Sequence, residues 1–283
     1  MKLGILIETE EGLDWESWRT TYSTAERIGL ESVWLSDHLQ SPWSARHGLE
    51  TWSALSVAAA ESERLVLGPL VSPVTFREPA IVARMAEALQ SLSHGRFVVG
   101  LGLGWNADEH RQAGIAFPSV AERSRRLAAA AERLRCEVQV PLLIGGSGAR
   151  GTLPLVARFA NQWNMTTASV ADFTRVSSQL DALCGGVGRA PREILRSVAF
   201  GILVGEDVRD LRARAERMRT CVSPIAEAED VLEAARALGW LVGTVAELRA
   251  RLEEFAVAGA ERIIFGHYNL GDLSTLELLA TLA

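Results

Sequence analysis

Eight times along this chain a short run of aliphatic and β-branched residues gives way to a run with helical periodicity, and nothing else in the sequence restricts the possible folds as much. Strands are expected near 2–8, 32–36, 65–72, 96–102, 140–145, 162–166, 196–204 and 261–266. Helices are expected over 14–28, 50–63, 78–93, 119–135, 149–160 and 169–183, as a pair spanning 207–238, over 244–258, and finally over 272–282. Strands and helices in alternation mean βαβ units and a parallel sheet. An open sheet does not need an eighth unit to cover an edge, so the repeat favours closure into a (β/α)8 TIM-like barrel. Asp14, Ser119 and Thr244 stand where helix N-caps belong, and Gly29, Gly239 and Gly259 stand just past helix ends. No linker, low-complexity tract or break in composition divides the chain, so one domain over residues 1–283 is expected.

The charge pattern removes several functional classes. A net charge of −6 with interspersed signs leaves no electrostatic footprint for nucleic acid or an anionic membrane. No apolar run approaches the roughly 20 residues needed to span a bilayer, and the amino terminus lacks a cleavable signal pattern, so a cytoplasmic protein is expected. Cys136, Cys184 and Cys221 are far apart and odd in number, which argues against a disulfide framework or a zinc site. Lys2 is the sole lysine among 29 basic residues and opens the first strand, which excludes lysine Schiff-base chemistry.

Barrel enzymes keep their chemistry at the carboxyl ends of the strands, so those segments carry the functional reading. Strand two ends in Ser36-Asp37-His38. Adjacent residues on an extended backbone point to opposite sides, so one of Asp37 and His38 faces the pocket and the other does not. Strand three runs into Pro69 and Pro73, which mark a distorted strand end rather than a strand interior. Strand four becomes a glycine-hinged loop, Gly100-Leu101-Gly102-Leu103-Gly104, presenting Trp105, Asn106, Asp108 and Glu109. Strand five ends in Gly145-Gly146-Ser147-Gly148 before an expected helix start near 149; small residues there let backbone amides approach a phosphate, with Arg150 close by. The same residues also fit an ordinary tight turn. His94, His110 and His267 have no partners at ligand spacing and read as solvated, while Trp105 and Trp163 read either as core or as two indoles on one pocket rim.

Taken together, these segments resemble the bacterial luciferase-like monooxygenase superfamily, and within it the deazaflavin-dependent oxidoreductases that use coenzyme F420. The resemblance is carried by Trp34-Leu35-Ser36-Asp37-His38-Leu39, by Leu70 through Arg77, by Gly95-Arg96-Phe97 through Gly104-Trp105 with Glu109 and His110, and by Phe117-Pro118. Ile144 through Gly148, Ala160 through Asn164 and Ala258 through Phe265 complete it, so it covers essentially the whole chain.

The resemblance implies a cofactor ring held at the carboxyl ends of the strands, with a non-proline cis peptide at Leu70-Val71 behind it. It implies His38 as acid/base near the reactive carbon, Glu109 as a second proton donor, and Asp37 on the cofactor's polar edge. Leu70, Val71, Ser72, Gly102, Gly104 and Asn106 would lie along the ring, the glycines giving it clearance. Gly145, Gly146, Ser147 and Gly148 would hold the phosphate. The implied reaction is hydride transfer between F420 and a small organic substrate, with a His38 that titrates near neutrality. The alternatives are an FMN-dependent monooxygenase and a cofactor-free structural or binding homologue. Pairing into a homodimer is implied as well, and the helix over 78–93 has apolar residues on more than one face. Two departures stand out. The connection from Arg135 to Val140 is short where relatives carry a long excursion that helps roof the active site, implying a more open pocket, a lid from elsewhere or weaker cofactor binding. Pro69 replaces the threonine or small residue usual before the bulge, which removes a hydroxyl and an amide donor.

Overall fold

The computed structural model describes every residue except Pro42, Ala45 and Ala283. Its strands are β1 (Lys2–Ile7), β2 (Ser32–Leu35), β3 (Val66–Pro69), β4 (Ser72–Pro73), β5 (Val99–Gly102), β6 (Leu142–Gly145), β7 (Gln162–Thr166), β8 (Leu195–Gly205), β9 (Leu241–Thr244) and β10 (Arg262–Gly266). All pairings are parallel, in the order β3-β2-β1-β10-β8-β7-β6-β5-β4, and a bridge between Leu67 and Phe97 brings the two ends together. β3 and β4 are one pass of chain interrupted at Leu70-Val71. The ring therefore has eight passes, at the positions the sequence pattern indicates. Pro69 and Pro73 each end a strand segment, where a missing N–H does no harm to the ladder.

Parallel strands are buried on both faces, and two apolar layers result. One lies between sheet and helices and includes Trp18, Phe97, Phe173 and Phe255. The other fills the ring with Leu6, Trp34, Leu70, Val98, Leu143, Ala199 and Ile264. Beneath Trp34 the amino-terminal end is plugged by Arg262, 2% exposed, which pairs with Glu31 at 2.7 and 2.8 Å and donates to Gln162 Oε1 at 2.6 Å. That leaves the carboxyl end open to ligands.

The caps follow from residue type. Asp14, Ser119 and Thr244 each accept a backbone N–H of the first helical turn, and Gly29, Gly239 and Gly259 take positive φ at the other ends. Three expectations need correction. The helix expected from 149 begins at Leu153, because residues 149–152 form a turn and Pro154 belongs in a first helical turn. The expected pair over 207–238 is three helices, Val208–Met218, Ser223–Ala226 and Val231–Ala237. β9 is a strand beyond the eight expected: β8 is eleven residues long and outruns the ring, and β9 covers its exposed edge through Ile202 to Gly205. Among the described residues no helix is long and apolar enough to cross a membrane.

Candidate active site

The site is built on the loops that leave β1, β2, β4, β5 and β6. Past β5, Asn106 caps the six-residue helix Ala107–Gln112, accepting the backbone N–H of Asp108 and Glu109 at 3.1 and 3.2 Å. The cap directs Glu109 beneath the β2 loop, where its fully buried carboxylate meets His38 Nδ1 at 3.0 and 3.1 Å and accepts the Leu39 N–H at 3.2 Å. The Trp105 indole stands edge-on to the imidazole with centroids 5.5 Å apart. With Nδ1 committed to Glu109, Nε2 is the imidazole nitrogen left for a ligand.

Two adjoining cavities share His38, Leu70, Trp105 and Thr166. The first, about 400 Å³, runs over Leu70, Val71, Gly102 and Gly104 to Gly145, Gly146, Ser147, Gly148 and Thr152. The second, about 320 Å³, is walled by the segment Glu8–Glu11 and by Trp43, Trp240 and Tyr268. At Ser36 the Glu10 carboxylate accepts the hydroxyl at 2.6 Å, with Glu8 beside it. Burial, then the Glu10 carboxylate, push Glu8 up to about 8. For His38, burial works against the charge, but the Glu109 hydrogen bond and the fields of Glu10, Glu109 and Glu8 outweigh it and hold the imidazole at about 9. The expected titration near neutrality is thus displaced upward, and at pH 7 His38 is an imidazolium.

Several residues do other work than the sequence suggests. Asp37 lines neither cavity; it is 2% exposed, accepts Ser72 Oγ at 2.5 Å and Trp52 Nε1 at 3.2 Å, and pairs with Arg77 at 2.6 Å. This is the opposite-sides outcome for Asp37 and His38, and it turns the Ser72 hydroxyl away from the cavities as well. Asn106 and Glu109 lie behind His38 rather than in the cavity. Gly100 and Gly102 make room for the β3–β4 bulge, not directly for a ring: a Cβ on Gly100 would fall 2.0 Å from Pro69 O, and one on Gly102 2.5 Å from Val71 Cγ2. The Leu70-Val71 peptide is cis. Trp163 is core, donating to Gly146 O at 2.8 Å and stacking on Phe173, so it is no pocket wall. His110 and His267 are buried rather than solvated; His110 bridges Thr75 and the Asn106 carbonyl, and burial takes His267 down to about 4.

The short connection from Arg135 to Val140 leads into the amino-terminal end of β6, the opposite end of the barrel from His38. It cannot roof the site. An open depression of about 950 Å³ occupies that end, lined by Arg135, Cys136 and Arg189 among others. What covers the site instead is Trp43 from the β2 loop and residues 221–224 and 238–240, with Arg46 donating to Thr220 O at 3.1 Å between the two segments. The Glu8–Glu11 segment could have been found by the strand-end rule, since it directly follows β1. Trp240 could not, because it reaches the site only through the placement of β9.

A closed parallel barrel with a His–Glu pair and a glycine-lined cavity at its carboxyl end defines a candidate (β/α)8 active site. Comparison with known proteins then supplies the family: residues 1–262 match the model of the luciferase-like monooxygenase family, and the chain belongs to it. Curated relatives include an F420-dependent glucose-6-phosphate dehydrogenase from Microbacterium testaceum, 32% identical over 59% of this chain and 57% of the relative. Another of that name, from Amycolatopsis mediterranei, is 36% identical over 36% of this chain and 32% of the relative. The chain thus spans from just under a third to just over half of the length of these relatives. Among solved structures, an F420-dependent secondary alcohol dehydrogenase superposes with a TM-score of 0.79 at 17% identity, covering all of this chain and 98% of the other. The monooxygenase RslO1 from Streptomyces bottropensis superposes with a TM-score of 0.76 at 18% identity, covering 99% and 98%. At these identities the structures share the fold.

Proposed function

We propose that this chain is an oxidoreductase that uses coenzyme F420 to transfer a hydride to or from a small organic substrate, with His38 moving the accompanying proton. The observation that carries the reading is the His38–Glu109 pair on the shared wall of the two cavities. The larger cavity fits a flat ring with a phosphate tail. Its floor is Leu70, Val71 and the side-chain-free stretch at Gly102 and Gly104, and at its far end the amides of Ser147 and Gly148 donate to no described group. The named relatives support F420 as the ring. When bound, the deazaflavin supplies two-electron hydride chemistry.

His38 does the rest. As an imidazolium held by Glu109, it is set to give the Nε2 proton to a basic atom formed in the adjoining cavity, so the reducing direction is favoured at neutral pH. Glu109 keeps the ring in that orientation and stabilises its charge, as a positioning residue. The test is to titrate the purified protein with F420 and with FMN while following ring fluorescence. F420 is expected to bind at micromolar concentration or tighter. Binding of FMN alone would make the chain a flavin-dependent monooxygenase, and binding of neither would make it a cofactor-free homologue; either result refutes the proposal.

A further inference from the structure

The smaller cavity has a wall chemistry of its own. Trp240 and Tyr268 stack face to face, 4.7 Å apart and within 4° of parallel. The barrel makes room for them: a Cβ on Gly201 of β8 would fall 2.3 Å from the Trp240 ring, and one on Gly266 of β10 would fall 3.0 Å from Tyr268. Trp43 and Trp105, 59% and 62% exposed, face the same space. The stacked Trp240–Tyr268 pair and the indoles of Trp43 and Trp105 line one cavity of about 320 Å³, an open aromatic box.

The sign of the box is set by its remaining side chains. Glu8, Glu10 and Glu11 line it, and none of the described lining residues is lysine or arginine. His38, at the edge, is the one cationic group there, and its charge is balanced by Glu109 at 3.0 Å. Aromatic faces and carboxylates attract the same partner, because ring quadrupoles present their negative side to a cation and a carboxylate adds a full charge. An anion entering the box meets the acidic side chains of Glu10 and Glu11, with the Glu8 acid group beside them and no cation other than the His38 already paired with Glu109.

We infer that this half of the site binds a small organic cation, with an alkylated or protonated nitrogen set among the indoles and Glu8 and Glu10 beside it. The inference rests on the larger cavity being the cofactor's half. It also separates this chain from the two curated relatives described above, which are named for glucose 6-phosphate, a dianion that this box repels.

The box can be probed without cofactor, since its tryptophans report directly. The purified chain is titrated at fixed ionic strength with benzyltrimethylammonium, benzyl alcohol and glucose 6-phosphate, following intrinsic fluorescence. The cation is expected to quench saturably and to bind about tenfold or more tighter than the neutral alcohol. Glucose 6-phosphate is expected to give no saturable change. The Glu8→Gln, Glu10→Gln double variant should bring cation and alcohol to about equal affinity, and Trp43→Leu, a rim substitution that leaves the core untouched, should weaken the cation by roughly fivefold. Equal affinity for cation and alcohol in the unaltered protein, no cation binding, or saturable binding of glucose 6-phosphate overturns the inference. Failure of the cofactor reading would appear separately, as absence of F420 binding in the ring-fluorescence titration.

Discussion

Replacing Glu109 by Gln tests the geometry at its centre. The substitution is close to isosteric and leaves the Asn106 cap in place, but it removes the carboxylate 3.0 Å from His38 Nδ1. His38 stands at about 9 against an ordinary 6.5, and such a displacement is worth about 3 kcal/mol at 1.36 kcal/mol per unit. Burial opposes the charge, and Glu109 supplies the hydrogen bond that leads the groups favouring it, ahead of the Glu10 and Glu8 fields. The variant's imidazole should therefore titrate about 2 units lower, near 7 or below. A folded value above the unfolded one contributes stability that is complete below about pH 6.5 and is lost as pH rises through about 9, so the wild type should lose up to about 3 kcal/mol more than the variant between those limits. The assay is proton NMR of the imidazole Cε1–H, with the His38 resonance assigned by its absence in His38→Gln, beside urea unfolding at pH 6 and pH 9.5. A His38 that titrates within about half a unit of the same value in both proteins would refute the ion-pair argument.

His38→Gln should lower turnover by about 10²–10⁴-fold while F420 affinity changes only a few-fold; a comparable loss of both would mean that His38 binds rather than transfers a proton. Gly102→Ala places a Cβ 2.5 Å from Val71 Cγ2, so it should lower stability by about 1–3 kcal/mol and weaken F420 binding, read from urea midpoints and ring fluorescence. Arg77→Met leaves the Asp37 carboxylate buried without its counter-charge, at a cost of about 3–5 kcal/mol, and adding Asp37→Asn should recover part of it. We also propose a homodimer through the helix Pro79–Leu92, on which Ile81 is 54% exposed. Sedimentation at micromolar concentration should give twice 30.7 kDa, and Ile81→Asp should reduce it to the monomer. A wild-type monomer would end that proposal.

Much of the fold is legible in order along the chain, because it depends on local signals. Hydrophobic periodicity locates eight strands, Asp14, Ser119 and Thr244 open helices, Gly29, Gly239 and Gly259 close them, and Pro69 and Pro73 bound the broken third pass. Those features rest on residues within a few positions of one another, so the sequence alone determines them. The strand-end rule likewise brings His38, Leu70, Gly102 and Gly145 to one end of the barrel. What each polar side chain there touches is a matter between distant segments, and only the tertiary structure decides it. Asp37 turns to Arg77, forty residues on, while His38 meets Glu109, seventy-one residues on, and the choice depends on which side of the strand end each one faces. The direction of the Arg135–Val140 connection, the covering of β8 by β9 and the stacking of Trp240 on Tyr268 are of the same kind. Each is set by packing that closes only when the ring does, and no local pattern in the chain records it.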